Sequence, residues 1–121
     1  MKAENFNKIV EDQVEHIRKV LVKKADEYNL EEDRLGFFKR AATFAQTTPE
    51  KALYGFLLKH LVSLNDMIVS GEKYSKELWL EKITDIENYL ILLLGLLEDD
   101  KMFKEVEKKT TKRTRLVEEK K

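Results

Sequence analysis

Residues 75–97 read Ser75-Lys76-Glu77-Leu78-Trp79-Leu80-Glu81-Lys82-Ile83-Thr84-Asp85-Ile86-Glu87-Asn88-Tyr89-Leu90-Ile91-Leu92-Leu93-Leu94-Gly95-Leu96-Leu97. Trp79, Ile83, Ile86, Leu90, Leu93, Leu94 and Leu97 recur at intervals of three and four, the period of an amphipathic helix. Ser75 is placed to cap the free N–H groups of the first turn, and Asp99-Asp100 marks the end. The spacing predicts helix four over about residues 76–98. Glu81, Asp85 and Asn88 share the face opposite Ile83, Ile86 and Leu90 and form a polar ridge. Leu92 continues that ridge, with Ile91 and Leu96 to either side, so the second half of the helix is apolar all round. Such a helix needs cover on every side. A four-helix body of about 100 residues does not supply it, so the expectation is a homo-oligomer, dimer or tetramer, formed through helix four along Ile91, Leu92 and Leu96.

Three further helices lead up to this one. Phe6, Ile9, Val10, Val14, Ile17, Val20, Leu21, Ala25 and Tyr28 outline helix one, which Asn29 closes. Leu35, Phe38, Ala41, Ala42 and Ala45 give a shorter helix two, ending near Gln46. Thr47-Thr48-Pro49-Glu50 is a start signal, because a threonine caps the backbone while proline occupies the first turn at little cost. Helix three follows, with Leu53, Phe56, Leu57, His60, Leu61, Leu64, Met67 and Ile68 as its stripe and Ser70-Gly71 as its stop.

The composition narrows the class. Among 121 residues there are 42% hydrophobic, 38% charged, no cysteine, four glycines and one proline. Disulfides, thiolate metal sites and thiol nucleophiles are excluded, and turn-rich β folds lack their turn chemistry. The longest uncharged run, Asn88 to Leu97, is about half a bilayer span, so neither a membrane span nor a signal peptide is expected. The expected location is the cytoplasm. The expected domains are a helical bundle, residues 1–100, and a charged tail, residues 101–121, that is partly helical or disordered. The tail carries nine Lys/Arg against four Asp/Glu. Without glycine, and with Phe103 as its one aromatic residue, it reads as a solvated segment and not as a nucleic-acid binder.

Glu81 and Asp85 stand one turn apart, a spacing that suits magnesium, which takes one or two protein carboxylates and fills its other positions with water and phosphate. The same spacing is that of an ordinary solvated helix face. Lys59, Ser63 and Asp66 form a second ridge on helix three. A short link favours antiparallel packing of helices three and four, which would carry this ridge toward Glu81 and Asp85. Asp66 is then a third ligand candidate and Lys59 a point charge for phosphate. His60 lies in the apolar stripe as a core histidine would. With His16 the only other histidine, a two-histidine metal site is not expected. No nucleophile elbow, P-loop or dinucleotide fingerprint is present.

The run Glu81-Lys82-Ile83-Thr84-Asp85-Ile86-Glu87-Asn88-Tyr89-Leu90 resembles the acidic, then Asp-x-x-Asn-Tyr, helix of the phage and bacterial nucleotide-modification-associated proteins. These are small relatives of the MazG-like all-α nucleoside triphosphate pyrophosphohydrolases. Lys24-Ala25-Asp26-Glu27-Tyr28 is similar to that group's Lys-x-x-Asp-Tyr-Gly segment, and His60 to Met67 to its middle helix. The resemblance covers roughly residues 15–98. Glu27 stands where the family motif has Asp, and Asn29 where it has Gly.

The resemblance implies an all-α four-helix bundle of MazG-like type, of phage origin, that oligomerises and handles a nucleotide with magnesium. Glu81 and Asp85 would be catalytic, and with Asp66 and Glu27 would ligate the metal. Tyr28, Lys59, His60, Ser63 and Asn88 would bind substrate, Tyr28 by stacking on a base. The implied activity is magnesium-dependent pyrophosphohydrolysis of a nucleoside triphosphate or deoxynucleotide. With incomplete ligands, the same pocket would bind and sequester a nucleotide without cleaving it. Neither membrane nor nucleic acid is an expected partner.

Overall fold

A computed structural model describes residues 1–23 and 33–119. The described chain is helical, without strands: α1 (Ala3–Arg18), continued by a π-helical turn (Lys19–Lys23), then α2 (Gly36–Ala45), α3 (Pro49–Ser70), α4 (Lys76–Asp99) and α5 (Met102–Glu119). The expected closure of helix one, from Lys24 to Asn29, falls outside the described residues.

The signals read at the helix ends operate as capping chemistry predicts. The Lys51 N–H donates to Thr48 Oγ1 at 3.3 Å with Pro49 in the first turn, and the Leu78 N–H donates to Ser75 Oγ at 3.1 Å. Gly71 ends α3 at φ +69°, a left-handed conformation that glycine adopts without a Cβ clash. Gln46 and Lys101 close α2 and α4 with positive φ despite carrying side chains.

α3 and α4 run antiparallel: Leu53 early in α3 joins Leu96 late in α4, while His60 one register later meets Tyr89 and Asp85. α2 closes one side of the pair. Phe38, Leu53 and Leu96 make the buried cluster, with Leu35, Phe56, Tyr89, Leu92 and Leu93 packed around it. The Phe38 ring meets Phe56 at 6.3 Å and Tyr89 at 6.2 Å between centroids, both edge to face. Lys39 pairs with Asp33 and Asp99, each at 2.6 Å, tying α2 to the end of α4.

The rotation of α4 differs from the one its hydrophobic pattern predicts. Ile83, Leu90 and Leu94, expected in the core, are exposed, whereas Thr84 and Leu96 are buried and Asp85, Asn88 and Leu92 half-buried. Beyond Asn88 the helix is apolar nearly all round, so hydrophobicity does not choose its inner face. The fit against α2 and α3 does. Leu96, expected at an oligomer interface, is 0% exposed inside the chain. α3 is turned slightly from its expected stripe: Leu61 and Ile68 are exposed. On α1, Phe6, Ile9, Val10 and Val14 are exposed, and Gln13, Ile17 and Val20 are the half-buried positions. The segment expected as a tail forms α5, whose described side chains are all exposed.

Two consequences are measurable. Leu96→Ala lowers unfolding free energy by about 2–5 kcal/mol in urea titration, whereas Leu90→Ala costs less than about 1 kcal/mol; the reverse order would restore the sequence-predicted rotation. Glu50 Oε1 is buried without a hydrogen-bond donor, and the Asp100 carboxylate beside it, together with burial, raises the Glu50 pKa. The folded state therefore holds this proton more tightly than the unfolded chain, and stability falls as pH rises from the ordinary carboxylate range through the raised pKa. Glu50→Gln raises the thermal midpoint at neutral pH, and that gain shrinks toward about pH 4.

Candidate functional site

α4 presents Glu77, Glu81 and Asp85 on successive turns, and all three line a groove of about 380 Å³ between α4 and α1. Leu80 and Thr84 line it from α4, His16 from α1 and Val20 from the π-helical turn. The helices are held in this register by Gln13, whose side-chain N–H groups donate to Thr84 Oγ1 at 2.8 Å and Glu87 Oε1 at 2.9 Å. Thr84 is 3% exposed, so its hydroxyl would be desolvated without this partner. The carboxylate row thus borders a groove whose second wall, α1, carries no buried side chain.

On the α3 side, Asp85 Oδ2 lies 3.6 Å from His60 Nδ1. The His60 ring packs on Tyr89 with centroids 5.0 Å apart. Burial, and then the nearby Asp85 charge, hold the Tyr89 hydroxyl above its ordinary pKa, so it stays a protonated donor. Asp85 therefore faces the groove on one side and the His60–Tyr89 pair on the other. One turn further, Asn88 Oδ1 is buried with no hydrogen-bond partner. A buried acceptor of this kind costs stability unless a donor reaches it.

The structure brings together part of the set expected from sequence. Glu81 and Asp85 share the groove, and His60 meets Asp85. Lys59 and Asp66 are exposed on α3 and Ser63 is half-buried there; none of the three lines the α1–α4 groove. Glu27 and Tyr28 lie outside the described residues. Among the described residues no group of three or more His, Cys, Asp or Glu is arranged to hold a metal ion. The expected gathering of Asp66 with Glu81 and Asp85 is therefore not found. Its reason is geometric: Asp66 lies well round α3 from the Leu53, Leu57 and Met67 line that packs inward.

Sequence reasoning passed over Glu77, Thr84 and Gln13, and weighed His16 only as a partner in a two-histidine metal site. Glu77 repeats the four-residue interval of Glu81 and Asp85, so the row was open to reading. Gln13 and His16 are reached only through the fold, since nothing local in α1 names a partner about seventy residues away. No protein-family model matches the chain, and neither a curated protein nor a solved structure matches it.

The orphaned acceptor gives a test. Asn88→Leu keeps the count and branching of the side-chain heavy atoms, removes the unpaired oxygen and raises unfolding free energy by about 1 kcal/mol in urea. A loss of that size instead would mean that the Asn88 amide is already satisfied by protein or water.

Proposed function

We propose that the α1–α4 groove binds the phosphate groups of a nucleotide and that the protein is a magnesium-dependent, pyrophosphohydrolase-like enzyme of nucleoside triphosphates or deoxynucleotides, working in the cytoplasm as a homo-oligomer of MazG-like bundles. The observation that carries this reading is the carboxylate row of α4, which lines the groove that α4 forms with α1. An acidic groove attracts an anionic phosphate only through a cation. Glu81 and Asp85, one turn apart, fit a magnesium ion carried by the nucleotide, which takes one or two protein carboxylates. When bound, the ion would neutralise charge on the phosphate oxygens.

The chain's own residues have separable tasks in this reading. His60 holds Asp85 in orientation from the α3 side, and Tyr89 holds His60. Glu81, exposed at the groove, would hold the ion together with Asp85. Asn88 offers an amide close to the row, with one acceptor still unpaired. Leu80 and Val20 supply apolar surface beside the charges. Glu27 and Tyr28 keep the roles that the family resemblance implies; Lys59 and Ser63 would reach the nucleotide from α3, outside the groove lining, and Asp66 is not a ligand in this reading.

A second reading, sequestration without cleavage, is favoured by one observation: Asp66 does not join Glu81 and Asp85 in a three-ligand set. A two-carboxylate site that holds a magnesium nucleotide need not position a water for attack. The phage setting rests on the family resemblance.

One experiment separates these readings. Purified protein is incubated with a mixed nucleotide pool and magnesium, and the small molecules are quantified by mass spectrometry before and after heat denaturation. Conversion of one triphosphate to its monophosphate and pyrophosphate, lost at least about 100-fold in Asp85→Ala, is the expected result. Depletion of a nucleotide that returns intact on heating assigns sequestration. A pool left unchanged in both samples contradicts both.

A further inference from the structure

The formal charge of the chain is zero, but residues 101–121 hold nine Lys/Arg against four Asp/Glu, which leaves 14 against 19 for the first hundred residues. As a solvated tail, this basic segment would scatter its charges in all directions. As α5 it sorts them. At about 100° per residue, Lys104, Lys108, Lys112 and Arg115 fall within about 80° of one another, with Thr111 at the edge of the same stripe. Together with Glu107 they line a shallow trough of about 770 Å³ along the helix, and all are exposed. Among the described residues none of the four cations is in an ion pair, whereas Lys8 is held by Asp12 and Lys39 by Asp33 and Asp99.

We propose that this stripe docks on the phosphate backbone of double-stranded nucleic acid, without reading its sequence. Like charges one turn apart on a helix repel one another, and an external polyanion relieves that repulsion. From Lys104 to Arg115 the stripe runs about 16 Å along the axis. One strand of a duplex sets a phosphate about every 3.4 Å, so about five stand opposite the four cations. Three of the four are lysines, point charges that suit phosphate and carry no base readout. Glu107 borders the stripe on one side and Glu105 on the other. These carboxylates would face phosphates on both walls of a groove, so the contact is with one backbone row and not an insertion between two.

The same face selects among polyanions. Phe103, the one aromatic residue of α5, lies about 100° or more round the helix from the stripe, so no ring is placed to stack on an unpaired base, and the duplex has the higher charge density. A helix that lies on an anionic membrane buries an apolar face. Met102, Phe103 and Val106 begin such a face away from the stripe, but the next two turns continue it as Thr110, Arg113 and Thr114, which offer a bilayer little to bury. The inference stands apart from the nucleotide reading, whose residues lie on α1, α3 and α4.

The full-length protein is titrated into a fluorescein-labelled duplex DNA of about 20 base pairs and followed by fluorescence anisotropy between about 50 and 200 mM KCl, with helical content checked by circular dichroism. Expected is a Kd of about 10 µM at the lowest salt, and a log–log slope of affinity against salt of about −3.6, a loss of about 150-fold over that range. Lys108→Gln with Lys112→Gln halves the slope and weakens binding at least about tenfold without loss of helix, whereas Lys51→Gln with Lys73→Gln does neither. A second duplex of unrelated sequence binds within about twofold of the first. Absence of binding at the lowest salt, an affinity independent of salt, an unchanged slope in the Lys108→Gln, Lys112→Gln variant, or strong preference for one sequence overturns the proposal. So does binding to phosphatidylserine vesicles in place of the duplex, which assigns the stripe to lipid. Nucleotide conversion by the same samples is scored separately, so failure of the stripe and failure of the groove are told apart.

Discussion

The antiparallel contact of α3 with α4 is the constraint on which the rest of the molecule depends. Leu53 and Leu96 are the two largest side chains excluded from solvent altogether, and each sits where these helices and α2 converge. Burying a leucine fully contributes about 1.5–3 kcal/mol. In a chain with so small a core, these two positions and Phe38 determine the rotation of α4. That rotation in turn decides which residues of the carboxylate row meet α1, which meet His60, and which apolar residues remain outside.

α3 and α4 each divide their surface between the core and an outer side. α4 gives one side to α3, and the edge bearing Glu77, Glu81 and Asp85 to the groove that α1 closes. α3 gives its inner side to α4 and α2 and keeps an apolar outer side. The hydrogen bonds of Gln13 hold α1 in place with few apolar contacts, so the groove's outer wall is the least anchored part of its lining. Local opening of such a wall costs little free energy, which suits the proposed entry of a charged ligand.

The helices themselves were legible in the sequence because their signals are local. Thr48-Pro49, Gly71 and Ser75 act within one turn, and each operates as its chemistry requires. The face of α4 was not legible, because Ile91, Leu92, Leu93 and Leu94 satisfy any rotation equally well; only Leu96 meeting Leu53 distinguishes them. The pairing of Glu81 with Asp85 was readable from spacing, and Glu77 extends it by the same rule. The partnership of His60 with Asp85 depends on the register of two helices. The wall formed by Gln13 and His16 depends on a contact between distant parts of the chain, for which one sequence carries no signal. Asp66 illustrates the opposite error: a residue type suited to the chemistry, on the right helix, but on the wrong side of it.

The central claim is that the carboxylate row of α4, held between α1 and His60, is the place where a magnesium nucleotide binds. Backbone amide chemical shifts, followed during titration with a nucleoside triphosphate and magnesium, test this most directly. The account predicts shifts concentrated at Glu77, Glu81, Thr84, Asp85 and Asn88, extending to His16 on α1 and His60 on α3, and absent when magnesium is withheld. Shifts confined to the basic residues of α5, or a spectrum unchanged at saturating nucleotide, would contradict it.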